Sequence, residues 1–302
     1  MIGQIWHNSL GKVRACWVIL MAALACVGLR EVAALALFWV LRVCLDTWGV
    51  TASNFIYAPA WARLLWVYGG VLSEAVGLIV GICLATYIAR RFIAYVPKER
   101  RSAWTLTGAG FALVIVALAL SIDSMRLERP LAEPVFSLDL LPSLLYIAAR
   151  MIWIVLLCQR IAYGLWADRG HYIWARMGSA VLFAAFYGGG WLPMRLFGAL
   201  IMGISLSRLY ERYGIRCVMM ALFGWEAVTR ALFSWGTERF ASLYTLYPVS
   251  DAWLCGGTQG AIAGVAAWLL WGAVALVLYR SEIRILFGRI RSFRNVKLRK
   301  PT

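Results

Sequence analysis

Histidine is almost absent from this chain of 302 residues, which contains only His7 and His171. Neither lies in a long apolar run, so no histidine-based zinc site and no Ser/His dyad can form inside such a run. The sequence also lacks the HExxH, GxSxG and GxxxxGK[ST] patterns of zinc proteases, serine hydrolases and P-loop proteins. We therefore predict no metal site and no cofactor.

Acidic residues are also scarce, with 14 Asp and Glu against 30 Lys and Arg, which gives a net charge of +16. In a soluble protein this excess would favour nucleic-acid binding. Here the basic residues collect between apolar runs and in residues 280–302, as in the cytoplasmic segments of inner-membrane proteins. We therefore predict a lipid bilayer, and no nucleic acid, as the partner of these charges.

Long apolar runs recur along the whole chain, which is 63% hydrophobic and has a mean hydropathy of +0.76. Runs of about 20 residues are long enough to cross a bilayer as helices. They predict an all-α, polytopic bundle of about eight transmembrane helices within a single domain, residues 1–279. The approximate limits of the predicted spans are 15–41, 64–89, 103–125, 143–165, 173–190, 195–211, 217–235 and 259–279.

Segments rich in Lys and Arg alternate with segments poor in them along this series of spans. The rich segments surround residues 90–101, 169–176 and 208–216 and include the end of the chain. This split predicts a multi-pass inner-membrane protein with both termini in the cytoplasm. Residues 280–302 are predicted to form a basic amphipathic tail that lies on the cytoplasmic leaflet and contacts anionic lipid. Residues 15–41 form either one long span or a span followed by an interfacial helix.

Small residues indicate close packing rather than covalent chemistry. The seven cysteines include no CxxC pair and are typical of small apolar packing residues. Gly77 and Gly81 form a GxxxG pattern, which favours close approach of two helices. Gly256, Gly260 and Gly264 continue the same spacing, and we expect this second series to lead into the last span as a helix.

Ionisable residues inside predicted spans are the main candidates for function, because each charge in hydrocarbon costs roughly 2.5–3.5 kcal/mol on insertion scales. We expect Asp123 to reach water and Glu31 to pair with Arg30. Glu226 and Arg230 lie four residues apart in the order that favours an intrahelical ion pair. The predicted polar cavity combines these charges with neighbouring polar side chains: Glu74, Arg150, Gln159, Arg160, Tyr163, Tyr187, Glu226 and Arg230.

Residues 143–230 resemble the core of the CPBP family, the CAAX-protease and bacteriocin-processing membrane proteins. Residues 158–164 (CQRIAYG) lie where that family has EExxxRG, and residues 183–187 (FAAFY) lie where it has FxxxH. Residues 197–214 resemble its glycine-rich helix and turn, and residues 223–227 (FGWEA) lie where it has HxxxN. The resemblance implies a family of eight-span intramembrane endopeptidases.

Every catalytic position implied by that resemblance is replaced, at Cys158, Gln159, Tyr163, Tyr187, Phe223 and Ala227. Paired glutamates would activate water and histidines would stabilise the oxyanion, and the residues present cannot do both. We therefore predict no catalytic residue and a membrane binding or scaffold protein, with a membrane protein or peptide as a possible partner. Two alternatives stay open: a peptidase that uses Glu74 or Glu226 as its base, and a transporter or channel subunit.

Overall fold

The computed structural model describes most of the chain, and it divides the chain into two compact units. Unit 1 contains residues 1–96 and 135–175, and unit 2 contains residues 97–134 and 176–302. The boundary of the predicted domain at residue 279 falls inside a continuous helix of unit 2. The residues described are 15–51, 53–97, 103–121, 123, 125–128, 140–188, 193–235, 244–249 and 252–297.

Unit 1 is built from three long helical segments. Helix α1 (Ala15–Thr47) packs along helix α2 (Ala60–Phe92), and both are apolar over most of their length. Helix α4 (Leu140–Val155) continues without a break through a π-helical stretch, π1 (Leu156–Tyr163), into the short helix α5 (Gly164–Ala167). The residues predicted to form the first span are one unbroken helix, so no separate interfacial piece follows.

The GxxxG pattern lies where helices of unit 1 approach closely, as the sequence predicts. A Cβ atom at Gly77 would lie 2.6 Å from the carbonyl oxygen of Arg30 on α1. One at Gly81 would lie 2.7 Å from the indole nitrogen of Trp153 on α4. Only glycine leaves room for these contacts, so the two positions hold α2 against both neighbours.

The long helices leave large apolar side chains exposed. Leu24, Val32 and Trp39 on α1 are each more than half exposed, as are Ile79 and Tyr87 on α2. An apolar surface of this extent is unfavourable in water and is typical of a face that contacts lipid. The exposure therefore agrees with the composition in indicating a helical membrane protein.

Unit 2 contains six further helical segments around a core of aromatic and small residues. The close contacts include Ala221 against Gly110, and Ala180 against Gly203. Trp225 packs edge-to-face on Trp271 at 5.6 Å between ring centroids. The segments are α3 (Ala103–Ser121), α6 (Tyr172–Gly188), α7 (Pro193–Tyr213), α8 (Ile215–Glu226) with its π-helical continuation π2 (Ala227–Leu232), α9 (Ala252–Cys255) and α10 (Val265–Lys297).

A small sheet in unit 2 departs from the predicted all-α fold. Strand β3 (Tyr244–Pro248) lies in the middle, antiparallel to β1 (Met125–Glu128) and parallel to β2 (Phe233–Trp235). The predicted third and seventh spans therefore end early, at Ser121 and Leu232. Aromatic residues and Thr245 favour strands at β2 and β3, whereas β1 (MRLE) has no such residue and is a strand because its backbone pairs with β3.

The second glycine series forms turns, so the prediction that it enters the last span as a helix is wrong. Gly256 and Gly260 have φ angles of 89° and 86°, which residues with a side chain rarely adopt. Two 3₁₀ turns (Gly257–Gln259 and Ala261–Ala263) follow, and α10 begins only at Val265. Four glycines in the nine residues 256–264 weaken a helix, and here they allow a compact bend instead.

Four helical segments among the described residues are long and apolar enough to cross a membrane. The remaining four predicted spans also coincide with helices, but these are shorter or less apolar. The helix over the predicted tail continues to Lys297, while residues 1–14 and 298–302 lie outside the described part of the chain. The four membrane-length segments are Cys16–Thr47, Tyr68–Phe92, Ser143–Ala167 and Val265–Ile285.

Candidate functional site

Four of the eight predicted site residues lie on π-helical stretches. Gln159, Arg160 and Tyr163 are on π1 in unit 1, and Arg230 is on π2 in unit 2. A π-helical turn widens the backbone spiral by one residue and is frequent at functional sites. The sequence carries no simple signal for such a turn, so this shared feature was not predicted.

A buried polar cluster in unit 2 contains Tyr187, Glu226 and Arg230. The hydroxyl of Tyr187 donates a hydrogen bond to one carboxylate oxygen of Glu226, and the guanidinium of Arg230 pairs with the other. The side chains of Glu226 and Arg230 are 1% and 11% exposed. The predicted intrahelical ion pair is therefore present, and the phenol of Tyr187 completes the surroundings of the carboxylate.

Tyr187, Glu226 and Arg230 line a small cavity whose lining residues all belong to unit 2. Arg195, near the start of α7, and Gln259, in the first 3₁₀ turn, lie on its walls. The space available to the centre of a water molecule is about 20 Å³. A cavity needs roughly 10–15 Å³ by this measure to hold one water. The cavity therefore admits one water molecule, or one atom of a ligand that caps its opening.

Glu74 and Arg150 belong to unit 1, where Tyr146 connects them. The Tyr146 hydroxyl donates a hydrogen bond of 2.8 Å to Glu74, and its phenol interacts electrostatically with Arg150. Tyr146 and Arg150 lie one turn apart on α4, so both face the same neighbour. Sequence reasoning missed Tyr146 as a partner of Glu74, although its spacing from Arg150 was a usable signal.

The remaining predicted residues lie along π1. Arg160 donates a hydrogen bond to the backbone carbonyl of Tyr95, and the rings of Tyr95 and Tyr163 are 5.7 Å apart. Gln159 is completely buried, and neither its amide nitrogen nor its amide oxygen has a hydrogen-bond partner among the described residues. A buried amide without partners is destabilising and calls for a physical explanation.

The two charges that we expected to lie apart from the others do so. Glu31 pairs with Arg30 at 3.4 Å, and Asp123 is exposed. The eight predicted cavity residues therefore fall into two groups: Glu74, Arg150, Gln159, Arg160 and Tyr163 in unit 1, and Tyr187, Glu226 and Arg230 in unit 2. Only the second group lines the cavity described above.

A second ionic group in unit 2, which we call the four-charge cluster, was not predicted. It consists of Arg176 on α6, Arg208 and Glu211 on α7, and Glu282 on α10. Arg176 is 2.9 Å from a carboxylate oxygen of Glu211 and 2.9 Å from one of Glu282. Arg208 contacts the same two carboxylates. These contacts join three helices, so the cluster has an evident structural role.

The cavity presents charged and amide side chains that can contact a ligand. Both carboxylate oxygens of Glu226 are already engaged, so it is poorly placed to take a proton from water. Within the described part of the chain, no group of three or more His, Cys, Asp or Glu side chains could hold a metal ion. Three buried atoms of the lining have no hydrogen-bond partner among the described residues: Nε of Arg195, Oε1 of Gln259, and Oε2 of Glu226, which pairs with Arg230.

Comparison with known proteins adds no relative to this description. No protein-family model, no curated protein and no solved structure matches the chain. The resemblance to the CPBP family therefore depends on the residue patterns in segments 158–164, 183–187, 197–214 and 223–227.

Proposed function

We propose that this chain is a multi-pass protein of the inner membrane with eight spans and both termini in the cytoplasm. Four helices of membrane length and the exposed apolar faces of α1 and α2 support embedding in lipid. The further helices at the other four predicted spans support the number eight. The alternation of basic residues supports the orientation.

We further propose that the chain is a CPBP-like scaffold without protease chemistry, which binds a membrane component at the cavity in unit 2. The observation that carries this proposal is the engagement of Glu226 by both Tyr187 and Arg230. A carboxylate that already contacts an arginine and a phenol has little room to bind a water molecule and take its proton. Glu74, the other candidate base, already accepts a hydrogen bond from Tyr146.

The first arm of the test measures peptide cleavage. The purified chain is reconstituted in liposomes and mixed with fluorescence-quenched peptides, both unmodified and carrying a C-terminal prenyl group. We expect cleavage no faster than in liposomes without protein. Cleavage that disappears in Glu226→Ala or Glu74→Ala would show that the chain is a peptidase and would overturn the proposal.

The second arm measures binding at the cavity. A photo-crosslinking amino acid is placed at position 259 in intact cells, and a matched control places it at Leu35, which is exposed on α1. We expect one discrete adduct from position 259, either a lipid or a membrane protein or peptide, that the control does not give. Identical adducts from both positions would mean that the cavity binds nothing specifically.

A further inference from the structure

The cavity in unit 2 carries an excess of positive charge. Its lining contains two guanidinium groups, Arg195 and Arg230, and one carboxylate, Glu226. Arg230 is paired with Glu226, whereas Arg195 forms no ion pair with another described residue. The lining as a whole therefore favours an anion, and Arg195 is the residue with charge left to offer.

Besides Oε2 of Glu226, which forms the ion pair with Arg230, two buried polar atoms at this cavity have no hydrogen-bond partner among the described residues. They are Nε of Arg195, which is a donor, and the side-chain carbonyl oxygen of Gln259, which is an acceptor. Burying a polar atom without a partner is unfavourable, so a ligand that satisfies both would be bound favourably. Such a ligand carries an anionic oxygen beside a hydroxyl or another donor.

The position of the cavity suggests where that ligand comes from. Arg195 is the third residue of α7, Arg230 lies just before β2, and Gln259 lies in the bend that precedes α10. All three are therefore at helix ends, which in a membrane protein lie near the depth of the lipid headgroups. In the proposed topology this end of unit 2 faces away from the cytoplasm.

Apolar surface close to the cavity is suited to acyl chains. The ring of Phe197, two residues after Arg195, is about half exposed and packs edge-to-face on Trp268 at 4.9 Å. The indole of Trp268 donates a hydrogen bond of 2.9 Å to the carbonyl of Ile262, which also lines the cavity. Leu269 and Leu276 continue an exposed apolar strip along α10.

We propose that this cavity binds the phosphate headgroup of an anionic phospholipid. Arg195 donates to the phosphate oxygens, and Gln259 accepts a hydrogen bond from a headgroup hydroxyl such as that of a glycerol group. Because the interior holds only about one water, the headgroup caps the opening with one oxygen inside. The guanidinium fork matches a phosphate in geometry and charge.

Native mass spectrometry of the full chain in detergent tests this site with three probes: phosphatidylglycerol, phosphatidylcholine and free glycerol phosphate. We expect phosphatidylglycerol to bind at least tenfold more tightly than the other two. Arg195→Gln should reduce that affinity about tenfold, and Gln259→Leu about threefold. Arg63→Gln is the matched control, because it removes an exposed arginine of unit 1 that lies on the same predicted side.

Three results would overturn the site. Equal affinity for the two lipids, or no loss in Arg195→Gln relative to Arg63→Gln, would show that Arg195 does not recognise the headgroup. Equal binding of free glycerol phosphate and phosphatidylglycerol would identify a soluble phosphate ester as the ligand instead of a lipid. Arg195→Lys keeps the positive charge and serves as the folding control. If it retains more lipid preference than Arg195→Gln, the loss in Arg195→Gln comes from removal of the charge and not from misfolding.

This inference rests on the membrane embedding in the proposed function, and flotation with liposomes separates the two. A chain that fails to float with any liposome contradicts the embedding itself. A chain that floats with both lipid compositions but shows no lipid preference contradicts only the headgroup site. Peptide cleavage would overturn the scaffold role without affecting either result.

Discussion

At the scale of single residues, the ion pair between Glu226 and Arg230 is the interaction most sensitive to mutation. Glu226 is buried, the side chain of Arg230 is only 11% exposed, and the two form an ion pair. Removing one partner of a buried pair costs about 3–5 kcal/mol because the other charge is left uncompensated. Arg230→Met should therefore lower the free energy of unfolding in detergent by that amount.

The double variant Glu226→Gln/Arg230→Met is the control for this prediction. Removing both charges also removes the uncompensated charge, and glutamine keeps an oxygen that can accept from Tyr187. We expect the double variant to be more stable than Arg230→Met alone, as measured by urea or thermal unfolding. If the double variant is the less stable of the two, the buried charge is not the source of the loss.

Substitution of Gln159 is expected to raise the stability of the protein. Its amide is fully buried and has no partner among the described residues, so folding removes its hydration without replacement. Gln159→Leu has a similar volume and removes this cost, and it should raise the free energy of unfolding by about 1–3 kcal/mol. Gln159→Glu is the comparison variant and should destabilise the protein. A loss of stability in Gln159→Leu would mean that a water or ligand satisfies the amide.

At the scale of secondary-structure elements, Gly77 tests the packing of α2 on α1. Gly77→Ala places a Cβ atom against the carbonyl of Arg30, whereas Gly70 on the same helix has open space at that position. Both substitutions gain about 1 kcal/mol of helix propensity. The difference in unfolding free energy between Gly77→Ala and Gly70→Ala should therefore isolate the packing cost, about 1–3 kcal/mol. Equal stabilities would show that the helices adjust freely.

The four-charge cluster gives a second prediction for elements, because it holds α10 against α6 and α7. Arg176→Gln removes contacts to both Glu211 and Glu282. Amide hydrogen exchange over residues 276–285 should become about fivefold faster, which corresponds to about 1 kcal/mol. Arg42→Gln is the matched control, since its pair with Asp46 is about half exposed and contributes little. Unchanged exchange in Arg176→Gln would show that apolar packing alone holds α10.

At the scale of the whole molecule, the number of spans can be counted with topology reporters. Eight spans require a reporter after residue 190 to lie outside the cytoplasm and reporters after residues 214 and 302 to lie inside it. Eight spans predict that an alkaline phosphatase fusion is active only after residue 190. They also predict that a fluorescent protein fusion is active only after residues 214 and 302. Reporters after 190 and 214 on the same side would show that α7 does not cross the membrane.

The sequence by itself determined where most helices lie and which charges pair locally. Apolar runs predicted a helix at each of eight positions, because a helix satisfies its backbone hydrogen bonds internally. The spacing of Glu226 and Arg230 and that of Gly77 and Gly81 also predicted contacts correctly. These features depend on residues that are close along one helix or on the composition of a single segment.

Only the tertiary structure decided how these segments meet. The sheet around β3 pairs strands far apart in sequence, and the bend at Gly256 and Gly260 replaces an expected helix with turns. The π-helical turns and the joining of Arg195, Gln259 and Glu226 at one cavity likewise depend on contacts between elements. Periodicity describes one segment at a time, whereas a binding site is formed by side chains from several segments whose approach is set by packing.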